Sequence, residues 1–183
     1  MSKNILVLEG SPRKKGNSSQ MAEAFIRGAG EAGHKIKVMR TAELNIGGCR
    51  ACKGCWKRKG SCILEDDMEA VQTALEEADV LVMAAPMYWS SVPSAMKAVI
   101  DRMYQYDPVN GGKRLHIEEA VLLTCGETQS LDDFHMIKEF FRGFAEFNGM
   151  KVKAMLAAKA VEGIGDIGGN PILEEAEKLG REI

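Results

Sequence analysis

Hydrophobic positions along this chain switch repeatedly between a strand-like and a helix-like pattern. Ile5 to Leu8 is a continuous apolar run, and after it Met21, Ala22, Phe25, Ile26 and Ala29 fall on a single helical stripe. These two patterns predict a strand over Lys3 to Glu9 and a helix from Gln20 onward, closed by Gly30 and Gly33. Lys35 to Met39 alternates as a half-buried or edge strand. Asp66 with Glu69 reads as a capping box for a helix whose Met68, Val71, Leu75 and Ala78 share one face. The most apolar run is Val80 to Ala85, ended by Pro86, and it suits a central parallel strand covered on both sides. Pro93 opens a third helix bearing Met96, Val99, Ile100 and Met103, and Asp107 to Lys113 is a turn-rich excursion. A strand over Ala120 to Thr124 precedes a helix started by Ser130 and Asp133, whose Phe134, Ile137, Phe141 and Phe144 form a core stripe. Val152 to Ala157 is the fifth strand, and Pro171 starts the terminal helix.

Five strands alternating with helices predict an α/β domain with a parallel sheet and right-handed crossovers. Ligands in such sheets bind beyond the carboxyl ends of the strands, where the strand order reverses. Three strand ends are rich in chemistry: Gly10-Ser11, Pro86 to Ser91, and Cys125-Gly126-Glu127-Thr128-Gln129.

Length and charge narrow the class. At 183 residues the chain suits one domain, read here as residues 1–183 with a cysteine-rich insertion at 47–64. A formal net charge of −2 gives no reason to expect nucleic acid or an anionic membrane as partner. No apolar run approaches the ~20 residues of a membrane span, and the N-terminus leads directly into a strand, so a cytoplasmic protein is expected. Five cysteines in that setting point to metal, cluster or thiol chemistry before structural disulfides.

The first strand end is an anion site by composition. Gly10-Ser11-Pro12-Arg13-Lys14-Lys15-Gly16-Asn17-Ser18-Ser19 joins a strand to a helix start, where unpaired N–H groups and the helix dipole favour negative charge. Asn17 followed by Gln20 also reads as a capping box. The loop has neither Walker A nor G-x-G-x-x-G spacing, so it fits a phosphate monoester better than a triphosphate or pyrophosphate. The second strand end, Pro86-Met87-Tyr88-Trp89-Ser90-Ser91, sets two aromatic rings in a proline-bounded, hydroxyl-rich loop suited to a flat heteroaromatic ring. A ligand with a phosphate tail and an aromatic head, such as FMN, would bridge the two loops.

These two loops, together with Val92-Pro93-Ser94-Ala95-Met96-Lys97-Ala98-Val99-Ile100-Asp101-Arg102, resemble the NAD(P)H-dependent FMN reductase family of flavodoxin-like proteins from Met1 to about Ala157. The resemblance implies a three-layer sandwich with strand order 2-1-3-4-5. It implies that Ser11, Arg13, Asn17, Ser18 and Ser19 hold the FMN phosphate, and that Pro86, Met87, Tyr88, Trp89 and Ser90 line the ring, with Gly126 and Glu127 in the third loop. It also implies NAD(P)H as co-substrate, an acceptor such as a quinone or ferredoxin, and a homodimer or homotetramer. On this reading the flavin carries the redox step and no side-chain acid or base is required. Two rival functions stay open: a non-enzymatic electron carrier without a pyridine-nucleotide site, and a metal-dependent sensor.

Cys49, Cys52, Cys55 and Cys62 are separated by two, two and six residues, compact enough to wrap one metal centre. The spacing resembles that of iron-sulfur flavoproteins, a branch of the same family, and implies a 4Fe-4S cluster held by all four. Zinc and redox-active thiols or disulfides are the alternatives. Arg50, Lys53, Lys57, Arg58 and Lys59 would offset thiolate charge, or form a solvated basic face. Gly163-Ile164-Gly165-Asp166-Ile167-Gly168 matches G-x-G-x-x-G but lies too near the C-terminus for a βαβ unit, and reads as a mobile loop. His34, His116 and His135 form no ligand pattern, and Cys125 reads equally as packing or as a pocket thiol.

Overall fold

A computed structural model describes residues 1–183 apart from 108 and 110. In chain order it contains β1 (Asn4–Glu9), α1 (Asn17–Glu31), β2 (Lys35–Arg40), α2 (Gly54–Lys57), α3 (Met68–Glu77), β3 (Val80–Pro86), α4 (Ser94–Arg102), β4 (Glu119–Cys125), α5 (His135–Phe147), β5 (Lys151–Ala158) and α6 (Ile172–Arg181). All strand pairings are parallel, and the strand order is β2-β1-β3-β4-β5, the flavodoxin-like order expected. Of the turn-rich 107–113 excursion, residues 108 and 110 lie outside the described residues.

The continuous apolar runs are explained by burial on both faces. Along β1, β3 and β4, Leu6, Leu8, Leu81, Met83 and Leu122 meet Val71, Leu75, Met96, Val99, Ile137 and Phe141 of α3, α4 and α5. The alternate residues Ile5, Val7, Val80, Val82, Val121 and Leu123 meet Met21, Phe25 and Ala29 of α1 and Ala176 of α6. Each fully buried aliphatic or aromatic side chain contributes about 1.5–3 kcal/mol by leaving water. Among the described residues no helix is long and apolar enough to cross a membrane.

Helices α1 and α6 touch backbone to backbone. A Cβ on Gly28 would stand 1.9 Å from the Glu177 carbonyl oxygen, and one on Gly180 would stand 2.1 Å from that of Phe25. Arg27 and Arg181 then pair with Glu177 across and along the same seam.

Both expected capping boxes resolve differently. α1 begins at Asn17 itself with Gly16 at the N-cap, because the Asn17 side chain is taken by a distant loop: its Nδ2 donates to Gly163 O and its Oδ1 accepts from Ile167 N–H. α3 has Asp67 at its N-cap, without a side-chain cap bond. Asp66 Oδ1 instead accepts from Met68 N–H at 3.1 Å while Oδ2 faces Arg102 and Gly47. Gly33, at φ 83°, does close α1 as the left-handed residue beyond its end.

Candidate functional site

The carboxyl ends of β1, β3 and β4 open into one cleft of about 630 Å³. Its walls come from Ser11 to Ser18, Pro86 to Ser90, Cys125 to Thr128, and Val161 with Glu162. The three strand ends singled out by sequence therefore converge.

The anion end forms where α1 starts. Gly16 has an ordinary extended backbone (φ −61°, ψ 165°), so its conformation does not require glycine. Space does: a Cβ there would lie 2.8 Å from Ser11 Oγ and fill the hollow at the helix N-terminus. Ser11 Oγ accepts the Arg13 N–H at 3.1 Å, which tightens the turn. Ser18 is 1% exposed, and its Oγ is buried without a hydrogen-bond partner of good geometry among the described residues. Beside it lies Cys125; burial pushes that thiol up to about 11 against the lowering effect of the Ser18 N–H and hydroxyl. Cys125 is thus a neutral, buried thiol at the floor of the cleft, which makes it both packing and pocket residue. The Ser18 hydroxyl thus has only the weakly bonding Cys125 thiol beside it, at the start of α1.

Ser19 departs from the expected phosphate set. One residue on around the helix, its hydroxyl donates to Glu9 Oε2 at 2.9 Å, and it does not line the cleft. Glu9, 2% exposed, finds its partners beneath the sheet end in that hydroxyl and in Arg40 at 3.5 Å. The remaining expected residues, Ser11, Arg13, Asn17, Ser18, Pro86, Met87, Tyr88, Trp89, Ser90 and Gly126, all line the cleft.

Tyr88 and Ser91 exchange two backbone hydrogen bonds, of 2.8 and 3.0 Å. Between them Trp89 and Ser90 both have positive φ, 47° and 61°. Such a reversed turn normally recruits Gly or Asn, and holding other residues there costs about 1–3 kcal/mol each. Strain of that size concentrates at functional sites. Trp89 is fully exposed at the rim, and Tyr88 is 43% exposed. Met87 N–H donates to Cys125 O, tying this turn to the third loop.

The glycine-rich segment after β5, expected as a mobile loop, is strapped to the anion end. Arg13 Nη1 donates to Glu162 O at 2.6 Å and Asn17 Nδ2 to Gly163 O at 2.9 Å. Ile167 is fully buried, and Asp166 Oδ2 accepts the N–H groups of Glu162 and Gly163, which hold its carboxyl below the usual range. Val161 and Glu162 thereby become cleft walls that sequence reasoning missed, whereas Thr128 lies in the third strand end it had named. The available signal was Ile167, an apolar anchor inside a glycine-rich loop.

The cysteine segment lies between β2 and α3. Cys49 and Cys52 are exposed, Cys55 and Cys62 are half-buried, and none is in a disulfide. Burial, aided by the nearby Cys62 and Cys49 thiols, raises Cys55 above its ordinary pKa against hydrogen bonds from the local backbone. Among the described residues no three Cys, His, Asp or Glu side chains meet closely enough to hold a metal ion. Cys49, Cys52, Cys55 and Cys62 are thus neighbours in sequence that this fold does not gather into a ligand set. Lys53 Nζ sits 4.9 Å above the Trp56 ring, and Trp56 packs on Tyr104 at 5.6 Å. Of the histidines, His34 is satisfied as an acceptor from Lys3 N–H.

Comparison with known proteins agrees with this geometry. A family model described as a flavodoxin-like fold matches residues 3–180. An iron-sulfur flavoprotein from Archaeoglobus fulgidus is 36% identical over 97 residues, 53% of this chain and 44% of the relative. An FMN-dependent NADH:quinone oxidoreductase from Pseudomonas fluorescens is 33% identical over 109 residues, 54% of this chain and 55% of the relative. Among solved structures, an NAD(P)H:quinone oxidoreductase from Methanothermobacter marburgensis superposes with a TM-score of 0.83 at 25% identity, over 100% of this chain and 96% of that one. The chain spans about half the length of the iron-sulfur flavoproteins it matches.

Proposed function

The chain belongs to the flavodoxin-like family, and from that premise we propose that it is an FMN-dependent oxidoreductase that draws on NAD(P)H and reduces a quinone-type acceptor. One observation carries the reading. A single cleft joins the hollow at the α1 N-terminus, kept open by Gly16 beside Ser11 and Ser18, to a strained aromatic turn, Tyr88 to Ser91. Those two ends match a phosphate monoester and a flat heteroaromatic ring.

FMN, when bound, supplies the two-electron chemistry, and the protein supplies position and electrostatics. Ser18, the first N–H groups of α1 and the free guanidinium donors of Arg13 receive the phosphate. Asn17 keeps the α1 start fixed against the 159–170 loop, and Gly16 keeps the hollow open. Pro86, Met87 and Ser90 hold the ring edge with backbone groups, Tyr88 offers a half-exposed face, and Gly126 approaches from the third loop. Trp89 stands at the solvent rim, where a second planar substrate arrives. The uncharged Cys125 floor adds no negative charge beneath an anionic ligand.

The names of the iron-sulfur relatives extend the reading to a 4Fe-4S cluster on Cys49, Cys52, Cys55 and Cys62. As folded here, those thiols do not fit one, so the reading stands on the cleft alone. Iron and acid-labile sulfide assays on the isolated protein address the cluster separately.

The test is an anaerobic titration of the protein with FMN, followed by NADH and then NADPH, monitored by absorbance. The expected result is saturable flavin binding and bleaching of the flavin band by a pyridine nucleotide, with recovery on adding a quinone. Flavin that binds but is bleached by neither nucleotide would favour a simple electron carrier. No flavin binding would overturn the reading.

A further inference from the structure

Helix α4 has one end at each chemically loaded part of the molecule. Its N-terminus follows Pro93, directly after the aromatic turn of the cleft. Its last residue, Arg102, lies at the base of the cysteine segment. Nine residues separate these ends, about 14 Å at 1.5 Å per residue.

Arg102 is 3% exposed and its hydrogen bonds go to both sides of that base. Nη1 donates to Asp66 Oδ2 at 2.5 Å and to Gly47 O at 3.3 Å, while Nη2 donates to Leu64 O at 3.3 Å. Asp66 Oδ2 also accepts the Gly47 N–H at 3.0 Å. Gly47 and Leu64 are the two residues at which the cysteine excursion leaves and rejoins the fold, so one guanidinium closes its neck. One turn further along, Gln105 Oε1 accepts the Cys62 N–H at 3.1 Å. Inside the excursion the backbone is held by short local contacts: α2 has four residues, Gly60 N–H donates to Cys55 O, Trp56 packs on Tyr104, and Ala51, Lys53 and Lys59 hold left-handed conformations without being glycine.

We propose that Arg102 is the positioning residue of the cysteine segment. Its fork clamps Gly47 and Leu64 together on the end of α4, which sets where Cys55 and Cys62 sit relative to the cleft at the other end. The inference rests on the proposed function only for the meaning of the cleft; the clamp itself is defined without flavin or metal. Lysine cannot replace this arginine, because a single ammonium lacks the planar fork that reaches a carboxylate and two divergent carbonyls at once.

The experiment maps alkylation of each cysteine by iodoacetamide over time, by mass spectrometry, in the protein as isolated. FMN affinity is measured on the same samples. In Arg102→Lys and Asp66→Asn, Cys55 and Cys62 should be alkylated at least about ten-fold faster through local opening, while Cys125 stays protected and FMN affinity stays within about two-fold. Val99→Ala, a core truncation on the same helix, serves as the control for general destabilisation. If Cys55 and Cys62 keep their wild-type rates, the proposal is overturned. If every cysteine accelerates together and FMN affinity falls as it does in Val99→Ala, Arg102 is a generic core residue and the proposal is equally overturned. Should Arg102→Lys not fold, Asp66→Asn decides by the same criteria. A wild-type protein that binds no FMN would sink the cleft reading, yet the alkylation pattern would still decide the clamp.

Discussion

Asn17 and Ile167 are 150 positions apart, yet Asn17 Oδ1 accepts the Ile167 N–H at 3.3 Å while its Nδ2 donates to Gly163 O at 2.9 Å. One side chain therefore fixes the start of α1 and the wall that closes the cleft beside it. Asn17→Ala removes both bonds, each worth roughly 0.5–1.5 kcal/mol. FMN affinity should drop by about ten-fold, as read by quenching of flavin fluorescence. An unchanged affinity would mean that the strap does not shape the anion end.

Gly16→Ala isolates the hollow from the backbone, since φ −61° and ψ 165° suit alanine. The added methyl would meet Ser11 Oγ at 2.8 Å. FMN binding should weaken by about ten-fold or more, while the thermal midpoint shifts by only a few degrees, consistent with less than about 1 kcal/mol. Equal loss of stability and binding would point to a structural glycine instead.

Gly28→Ala and Gly180→Ala test the seam between α1 and α6. The carbonyl oxygens that the new methyls would meet, at 1.9 and 2.1 Å, cannot rotate away as a side chain would. Each substitution should cost at least about 1–3 kcal/mol by overpacking, measured as a lower urea midpoint. Wild-type midpoints would show that the helices slide apart freely.

Acid should loosen the Arg102 neck. Burial by itself raises Asp66, but the Arg102 guanidinium and the Gly47 and Met68 N–H groups outweigh it and hold the carboxyl below its ordinary 3.8. A depressed folded pKa means that the unfolded chain binds the proton first, so this stabilisation is present above the ordinary value and disappears as pH falls through the folded one. Urea midpoints collected from pH 6 to 2.5 should fall more steeply for the wild type than for Asp66→Asn, with the difference confined to below about pH 4.

Alkali acts on Cys125 in the opposite sense. Burial moves its thiol from 9.0 to about 11, so the folded state retains a proton that the unfolded chain has released. The resulting stabilisation is complete below pH 9 and is lost between pH 9 and 11, about 2–3 kcal/mol at 1.4 kcal/mol per unit. Cys125→Ala should remove that part of the alkaline slope. At pH 8 the same thiol should resist iodoacetamide until the protein unfolds.

The central strands were legible because their runs are apolar and continuous under burial on both faces, whereas the edge strand Lys35–Arg40 showed itself by alternation. The cleft was legible for a related reason: each strand end carried its own loop chemistry. What failed was what one segment cannot reveal about another. Asn17 looked like a helix cap because nothing near it in sequence shows that Gly163 and Ile167 will claim its amide. Ser18 and Ser19 looked interchangeable, yet the 100° step between successive helical residues sends one hydroxyl to the cleft and the other to Glu9. Glu9 itself was the clue, since a carboxylate ending a buried strand must find donors. The spacing of the four cysteines carries no information on burial, and the excursion leaves Cys49 and Cys52 in solvent.

The seam between α1 and α6 also bears on synthesis. Arg27 and Glu177 are 150 residues apart, a stretch that takes a ribosome roughly 7–30 s at 5–20 residues per second. Throughout that interval the nascent chain carries α1 with its glycine notch uncovered, exposed to chaperones and to neighbouring chains. That notch can close only once α6 has been made.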